Sequence, residues 1–133
     1  MLVIDGGGSL RVTIWGGTST AAAKQKGLVG CVTNAGVRDL DEILQTRLPV
    51  FAPSVTVRGT AKNHRGWIGV PICLGPVTVT PGGFIVVDSD GVVVVPAGRV
   101  EEVAAAAVEQ RRKAEEWDRR IRNGESGKAV MVL

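Results

Sequence analysis

Residues 30–43 read GCVTNAGVRDLDEI, and this stretch decides the fold. Leu28 to Thr33 is a short apolar run with little polar alternation, the pattern of a strand covered on both faces. Asn34-Ala35-Gly36 is a turn. Asp39 to Leu48 then reads as a helix, with Ile43, Leu44 and Leu48 on one side. Arg38 and Asp39 stand at the junction, a permanent guanidinium beside a hard anionic oxygen. Arginine suits planar, bidentate contact with a carboxylate. Aspartate suits magnesium or manganese, which usually keep several waters. The plainer alternative is an aspartate that complements the helix dipole and pairs with its neighbour. Both readings stay open on these residues alone.

Upstream, Leu2-Val3-Ile4 is a short strand that ends at Asp5-Gly6-Gly7-Gly8, where glycine permits positive φ and close backbone approach. Val12 to Trp15 is a second apolar piece. Gly16-Gly17-Thr18-Ser19-Thr20 leads into AAAKQKG, a helix with Ser/Thr capping and a stop at Gly27. Free N–H groups at such a helix start form a ready carboxylate or phosphate site. An ordinary capped turn has the same local sequence. Downstream, Pro49 to Ala52 is another short strand. Strands alternating with helices predict parallel βα units in this half.

The second half is different. Arg58 to Trp67 is polar and glycine-flanked, a loop or flap. Strand-like runs follow: IGVPIC, VTVT, FIVVD and VVVVP. Asp88-Ser89-Asp90-Gly91 between two valine-rich runs is a hairpin signal. Val100, Val103, Ala107, Val108, Ala114, Trp117 and Ile121 are spaced mostly by three or four, which makes Val100 to Ile121 an amphipathic helix that stops near Gly124. The terminal AVMVL reads as a short edge strand or a segment packed on a neighbouring subunit. With no internal repeat or low-complexity segment, residues 1–133 are expected to form one domain.

Composition narrows the function classes. Aromatics make up 4% and Tyr is absent, so Val, Ala, Leu and Gly must fill the interior. No apolar run reaches the roughly 18 residues of a membrane span. The start MLVIDGGGSL lacks the basic region of a secretion signal. A cytoplasmic protein is expected. Net charge is +3, and the basic run Arg111 to Arg122 is interleaved with Glu115, Glu116 and Asp118. It reads as a solvated, ion-paired helix face rather than a nucleic-acid footprint. Cys31 and Cys73 lie in apolar runs and are expected to be buried free thiols. One histidine and two cysteines cannot assemble the usual zinc site within one chain. His64 reads as a solvated loop residue, and no lysine lies in surroundings apolar enough for a Schiff-base role.

Taken together, VIDGGGSL, GLVGCVTNAGVRDLDEI, PVFA, GVPICLGPVTVTPGG and VVDSDGVVVVP resemble the RraA-like family. That family includes 4-hydroxy-4-methyl-2-oxoglutarate and 4-carboxy-4-hydroxy-2-oxoadipate aldolases. The resemblance runs from about Leu2 to Gly124. It implies an α/β fold of the swivelling β/β/α type, a mixed sheet with flanking helices. It further implies a homotrimer or hexamer with the helix at about 100–122 at the subunit interface.

The implied activity is that of a class II, metal-dependent lyase. Such an enzyme cleaves 4-hydroxy-2-oxo acids to release pyruvate and also decarboxylates oxaloacetate. By the same resemblance Arg38 binds the keto acid and Asp39 holds Mg2+ or Mn2+. The backbone of Gly16, Gly17, Thr18 and Ser19 binds the substrate carboxylate. Glu115 (or Glu116) of an adjacent subunit supports a water on the metal. Three departures from the family pattern stand out. The turn carries Gly17 where the family has Asp, Pro81-Gly82-Gly83 replaces Pro-Gly-Asp, and the N-terminal segment that family members usually carry before the first strand is expected to be missing here. One branch of the family binds and inhibits an endoribonuclease and usually lacks the aspartate after the arginine. A non-catalytic binding module or an inactive paralogue is therefore the alternative reading.

Overall fold

The computed structural model of the chain describes residues 1–131. In chain order the elements are β1 (Leu2–Ile4), β2 (Thr13–Trp15), α1 (Gly17–Gln25), β3 (Cys31–Thr33), β4 (Gly36–Val37), α2 (Leu40–Thr46), β5 (Val50–Phe51), β6 (Ile72–Leu74), β7 (Val77–Val79), β8 (Phe84–Val87), β9 (Val92–Val95), a 3-10 turn at Ala97–Arg99, α3 (Val100–Arg122) and α4 (Gly127–Val130). The result is a mixed α/β fold with small sheets.

The first half is built as parallel units. β3 lies between β1 and β5, with Leu2 opposite Cys31 and Cys31 opposite Val50. Beside it, β2 and β4 pair in parallel, Thr13 opposite Gly36 and Trp15 opposite Val37. Single bridges widen this second sheet, from Thr13 to Gly59 and from Val37 to Val55. All three residues of β3 are buried, which accounts for its lack of alternation in sequence. The core continues through Ala35, Val37, Ile43 and Leu48, with Ala23 of α1 packed in. Buried Thr20 satisfies its hydroxyl by donating to Gly16 O and accepting from Trp15 Nε1.

Gly7 and Gly8 take φ of 74° and 69°, the left-handed region that favours glycine. Gly6 serves for close approach instead. A Cβ there would meet the Ala35 Cβ at 2.5 Å. Asn34 then fastens the turn: its Oδ1 accepts from Gly6 N at 2.7 Å, and its Nδ2 donates to Asp5 Oδ1 at 2.8 Å and to Cys73 O at 3.1 Å. One side chain thus links the end of β1, the end of β3 and the first strand of the second half.

The second half is two antiparallel hairpins, β6–β7 and β8–β9, the latter turning at residues 88–91 as the sequence signals. α3 is 23 residues long and contains no buried residue, with Val103 and Trp117 half-buried. Its charges form the expected solvated pairs, Arg111 with Glu115 at 3.0 Å and Arg112 with Glu109 at 2.9 Å. The chain exposes 9910 Å2. A compact chain of 13.9 kDa would present about 6,700 Å2. Trp67 at the end of the polar loop and Ile68, expected to open a strand but lying before β6, are 84% and 100% exposed.

Several sequence expectations need correction. The cap of α1 is Gly16 in extended conformation with no side-chain hydrogen bond, because Thr18, Ser19 and Thr20 already lie inside the helix. The strand expected over Leu28–Thr33 is ordered only from Cys31, and Gly36 leaves the turn to enter β4. α2 ends at Thr46, and Leu44 is 64% exposed while Ile43 and Leu48 are buried. Cys73 is exposed rather than buried. The terminal run forms α4 up to Val130 instead of a strand, and the rest of that expectation, at residues 132 and 133, lies outside the described residues.

Candidate active site

β2 and β4 are parallel neighbours, so their carboxyl ends open to the same side. In open α/β sheets that is where ligands bind. β2 ends at Trp15 and runs into Gly16 and α1. β4 ends at Val37 and runs into Arg38, Asp39 and α2. A hydrogen bond from Arg38 N to Trp15 O at 3.1 Å locks the two strand ends together. The sequence-predicted residues of two distant segments therefore converge. A cavity of about 320 Å3 opens between them, lined by Trp15, Gly16, Thr18, Ser19, Arg38 and Asp39 among others.

Asp39 is the N-cap of α2 and sits at φ 57°, ψ 49°. This left-handed conformation carries a strain of about 1–2 kcal/mol for a residue with a Cβ, though aspartate tolerates it better than most. The strain aims the carboxylate back at the start of α1. Oδ2 accepts from Gly17 N at 3.3 Å and lies 3.5 Å from Arg38 Nε. The side chains of Arg38 and Asp39 are 45% and 38% exposed, so their ion pair contributes at most about 1 kcal/mol. Both residues line the cavity.

Both glycines of the turn are needed for space. A Cβ on Gly16 would come 2.8 Å from Asp39 Oδ2 and 3.3 Å from Arg38 Cγ. A Cβ on Gly17 would come 2.1 Å from Glu42 Oε2 and 2.8 Å from Glu42 Cβ. Gly17 does not itself line the cavity; its N–H is spent on Asp39. The N–H groups of Thr18 and Ser19 belong to the first helical turn, which has no intrahelical acceptors, and both residues line the cavity. The space that a side chain at position 17 would take is filled by the carboxylate of Glu42. Sequence reasoning missed Glu42, although its place one turn after Asp39 in α2 was a usable signal.

The polar loop forms the far wall. Thr13 N donates to Arg58 O at 2.7 Å and Thr60 Oγ1 donates to Thr13 O at 3.3 Å. The Thr13 hydroxyl also donates to Thr56 O. These bonds stitch the loop onto β2 and bring Gly59, Thr60 and Lys62 to the cavity. Arg38 Nη1 packs so near Gly59 that a Cβ there would lie 3.4 Å away. No feature of the sequence announces the Thr13–Gly59 bridge, so the wall was not legible.

Glu115 lies elsewhere, on α3, ion-paired with Arg111; it does not line this cavity. His64 is exposed in the loop and does not line it either. Among the described residues no group of three His, Cys, Asp or Glu gathers to hold a metal. That donor set does not suit zinc, which takes three or four protein ligands. It does suit magnesium, which takes one or two carboxylates together with waters and substrate oxygens. Asp39 lines the cavity and would hold such an ion, whereas Glu42 lies over Gly17 and does not line it.

An arginine–aspartate pair and a helix start thus face one cavity at the ends of two parallel strands of an α/β protein. The sequence pattern of the RraA-like family (Aldolase/RraA) matches residues 1–94, and the chain belongs to that family. A 4-hydroxy-4-methyl-2-oxoglutarate aldolase of Thermus thermophilus is 36% identical over 96 residues, covering 72% of this chain and 58% of that protein. The solved structure of the RNA-processing inhibitor RraA from Thermus thermophilus is similar with a TM-score of 0.67 at 37% identity, covering 71% of this chain and 58% of that one. An uncharacterized protein from Pseudomonas syringae pv. tomato is similar with a TM-score of 0.87 at 27% identity, covering 96% of this chain and 61% of that one. The chain thus spans about three fifths of the length of these relatives. No helix among the described residues is long and apolar enough to cross a membrane.

Proposed function

We propose that this chain carries the site of a divalent-metal-dependent lyase that cleaves 4-hydroxy-2-oxo acids and releases pyruvate. The observation that carries the reading is the strained Asp39. A residue with a Cβ is held left-handed so that its carboxylate meets Gly17 N and Arg38 Nε at the mouth of a cavity. Strain of this kind concentrates at functional sites. The name of the Thermus thermophilus relative supports the substrate class.

In this reading Arg38 and the first-turn N–H groups of Thr18 and Ser19 hold and orient the 2-oxo acid. Cleavage breaks the C3–C4 bond. Its electron pair stays on the pyruvate half as an enolate, the C4 hydroxyl loses its proton to become a carbonyl, and the enolate regains a proton at C3. Bound Mg2+ or Mn2+ would supply the positive charge that stabilises the enolate as it develops. The fixed guanidinium of Arg38 adds to that stabilisation without reorganising. No histidine lines the cavity, so water carries the proton. Oxaloacetate decarboxylation passes through the same enolate and belongs to the same site.

The likeness to an RNA-processing inhibitor favours a second reading, a non-catalytic binding module. Retention of both Arg38 and Asp39 beside an open cavity supports the enzyme over it. Assembly as a trimer or a dimer of trimers, with α3 at the contact, is part of the proposal. It is supported by the large exposed area and the unburied α3. Pyruvate release coupled to NADH oxidation, with Mg2+ and then with excess chelator, tests the lyase; capture of an endoribonuclease without turnover would support the binder.

A further inference from the structure

We propose that a second cavity, at the carboxyl ends of β1, β3 and β5, binds a small organic ammonium ion with an apolar body. The site is separate from the Arg38–Asp39 cavity and does not rest on the lyase reading.

β1, β3 and β5 form one parallel sheet. That sheet has its own crevice outside its strand ends, the usual place for a ligand in an α/β fold. Leu10 follows β1, Asn34 follows β3 and Phe51 ends β5. These residues line a cavity of about 600 Å3, together with the β8–β9 turn at Asp88. The volume lies within the roughly 300–1,000 Å3 of small-molecule clefts. The two cavities share no described lining residue. Ser54 Oγ donates to Leu10 O at 2.9 Å and ties the chain after β1 to the chain after β5, so this part of the wall is built in advance.

The chemistry of the lining selects the ligand. Val32, Val50, Phe51 and Val92 supply apolar surface. Among the described residues that line the cavity, Asp88 is the one ionisable side chain. Its Oδ1 accepts from Asp90 N at 2.9 Å and from Gly91 N at 3.3 Å, which fixes the carboxylate on its turn. No cation pairs with Asp88 among the described residues. The Asn34 amide is spent on Gly6 N, Asp5 Oδ1 and Cys73 O, so it offers no donor to an anion. One unneutralised carboxylate beside apolar walls therefore fits a cation whose body is apolar, and it repels an anion. Phe51 adds an aromatic ring, a surface that ammonium ions favour. Asp88 itself is exposed, which keeps the expected gain from its charge modest.

The test titrates the isotope-labelled protein with phenethylamine, phenethyl alcohol and phenylacetate, which differ in the charge of one end, and follows backbone amide shifts by NMR. The amine is expected to shift Asn34, Phe51 and Gly91. It should bind about tenfold more tightly than the alcohol, the scale of one charge-assisted contact, and phenylacetate should bind weakest. Asp88→Asn keeps an oxygen for Asp90 N and Gly91 N and should erase the preference for amine over alcohol. Phe51→Leu should weaken the amine more than the alcohol. Arg38→Ala should leave amine binding unchanged, so that failure of the lyase site and failure of this one are read separately. Equal binding of amine and alcohol, a preference that survives Asp88→Asn, or no shift at these residues overturns the proposal. Tighter binding of a blocked lysine amide than of phenethylamine would make the occupant a lysine side chain of a partner and overturn the small-molecule assignment.

Discussion

Gly17 N–H donates to Asp39 Oδ2 across 3.3 Å, tying the start of α1 to the start of α2. Two helices that follow two adjacent parallel strands are thereby clamped at the one end where both can face a ligand. The clamp requires a left-handed Asp39 and a side-chain-free position 17. Structure and proposed chemistry therefore depend on the same few atoms.

Replacing Asp39 separates strain from chemistry. Asp39→Gly removes the left-handed penalty while losing the carboxylate, so urea unfolding should place it within about 1 kcal/mol of wild type. Asp39→Ala keeps the penalty and loses the hydrogen bond, and should be about 1 kcal/mol less stable than Asp39→Gly. Both should lose Mn2+ binding by calorimetry and at least a hundredfold in pyruvate release. Equal stabilities would show that the conformation at residue 39 is not strained.

Gly17 and Glu42 should couple. Gly17→Ala drives a methyl toward Glu42 Cβ, which a helix holds in place, and should lose about 1–3 kcal/mol. In the Glu42→Ala background the same change should be milder by 0.5 kcal/mol or more, a coupling expected of neighbours in contact. Additive losses in the cycle would place Glu42 away from the turn.

The two thiols should behave differently. Cys31 is 0% exposed, and burial pushes its thiol up to about 11. Cys73 is exposed. A chromogenic disulfide reagent at pH 8 should titrate one thiol quickly and the second only on denaturation. Because the folded state holds the Cys31 proton more tightly than the unfolded state, stability from this group is complete below its ordinary value of 9.0 and falls as pH rises toward about 11. Cys31→Ala should flatten that alkaline decline.

Asn34 should matter at the opposite end of the pH scale. Its amide is the largest cause holding the Asp5 carboxyl below its ordinary value, with Gly7 N–H second. The stability from this group is present above the ordinary 3.8 and is lost as pH falls through the lowered folded value. Asn34→Ala should lose about 1–2 kcal/mol at neutral pH through its broken hydrogen bonds. It should also reduce the acid-dependent part of the loss. Chemical denaturation of both proteins between pH 3 and 7 checks the sign.

Much of this was legible in the sequence, for identifiable reasons. The buried run through Val32 marks a strand covered on both faces, and the change from strand to charged helix marks Arg38 and Asp39. Periodicity gave α3 to within a residue of its ends. Other features are tertiary. Leu44 follows the helical period yet faces solvent, while Ile43 on α2 and Leu48 just beyond it are buried. Cys73 looks like a core residue in its apolar run, but it sits on a two-stranded hairpin with one face uncovered. Lys62 reaches the cavity through the Thr13–Gly59 bridge, a backbone pairing between residues 46 apart that leaves no local pattern. Glu42 is visible as a helix residue, but its place over Gly17 depends on how α1 and α2 pack.

Pyruvate release from 4-hydroxy-4-methyl-2-oxoglutarate by wild type and Asp39→Gly, each with Mg2+ and with excess chelator, tests the central claim most directly. Metal-dependent turnover by wild type, abolished by chelator and absent from a folded Asp39→Gly, is the predicted result. Turnover that persists in chelator or survives loss of the Asp39 carboxylate would contradict it.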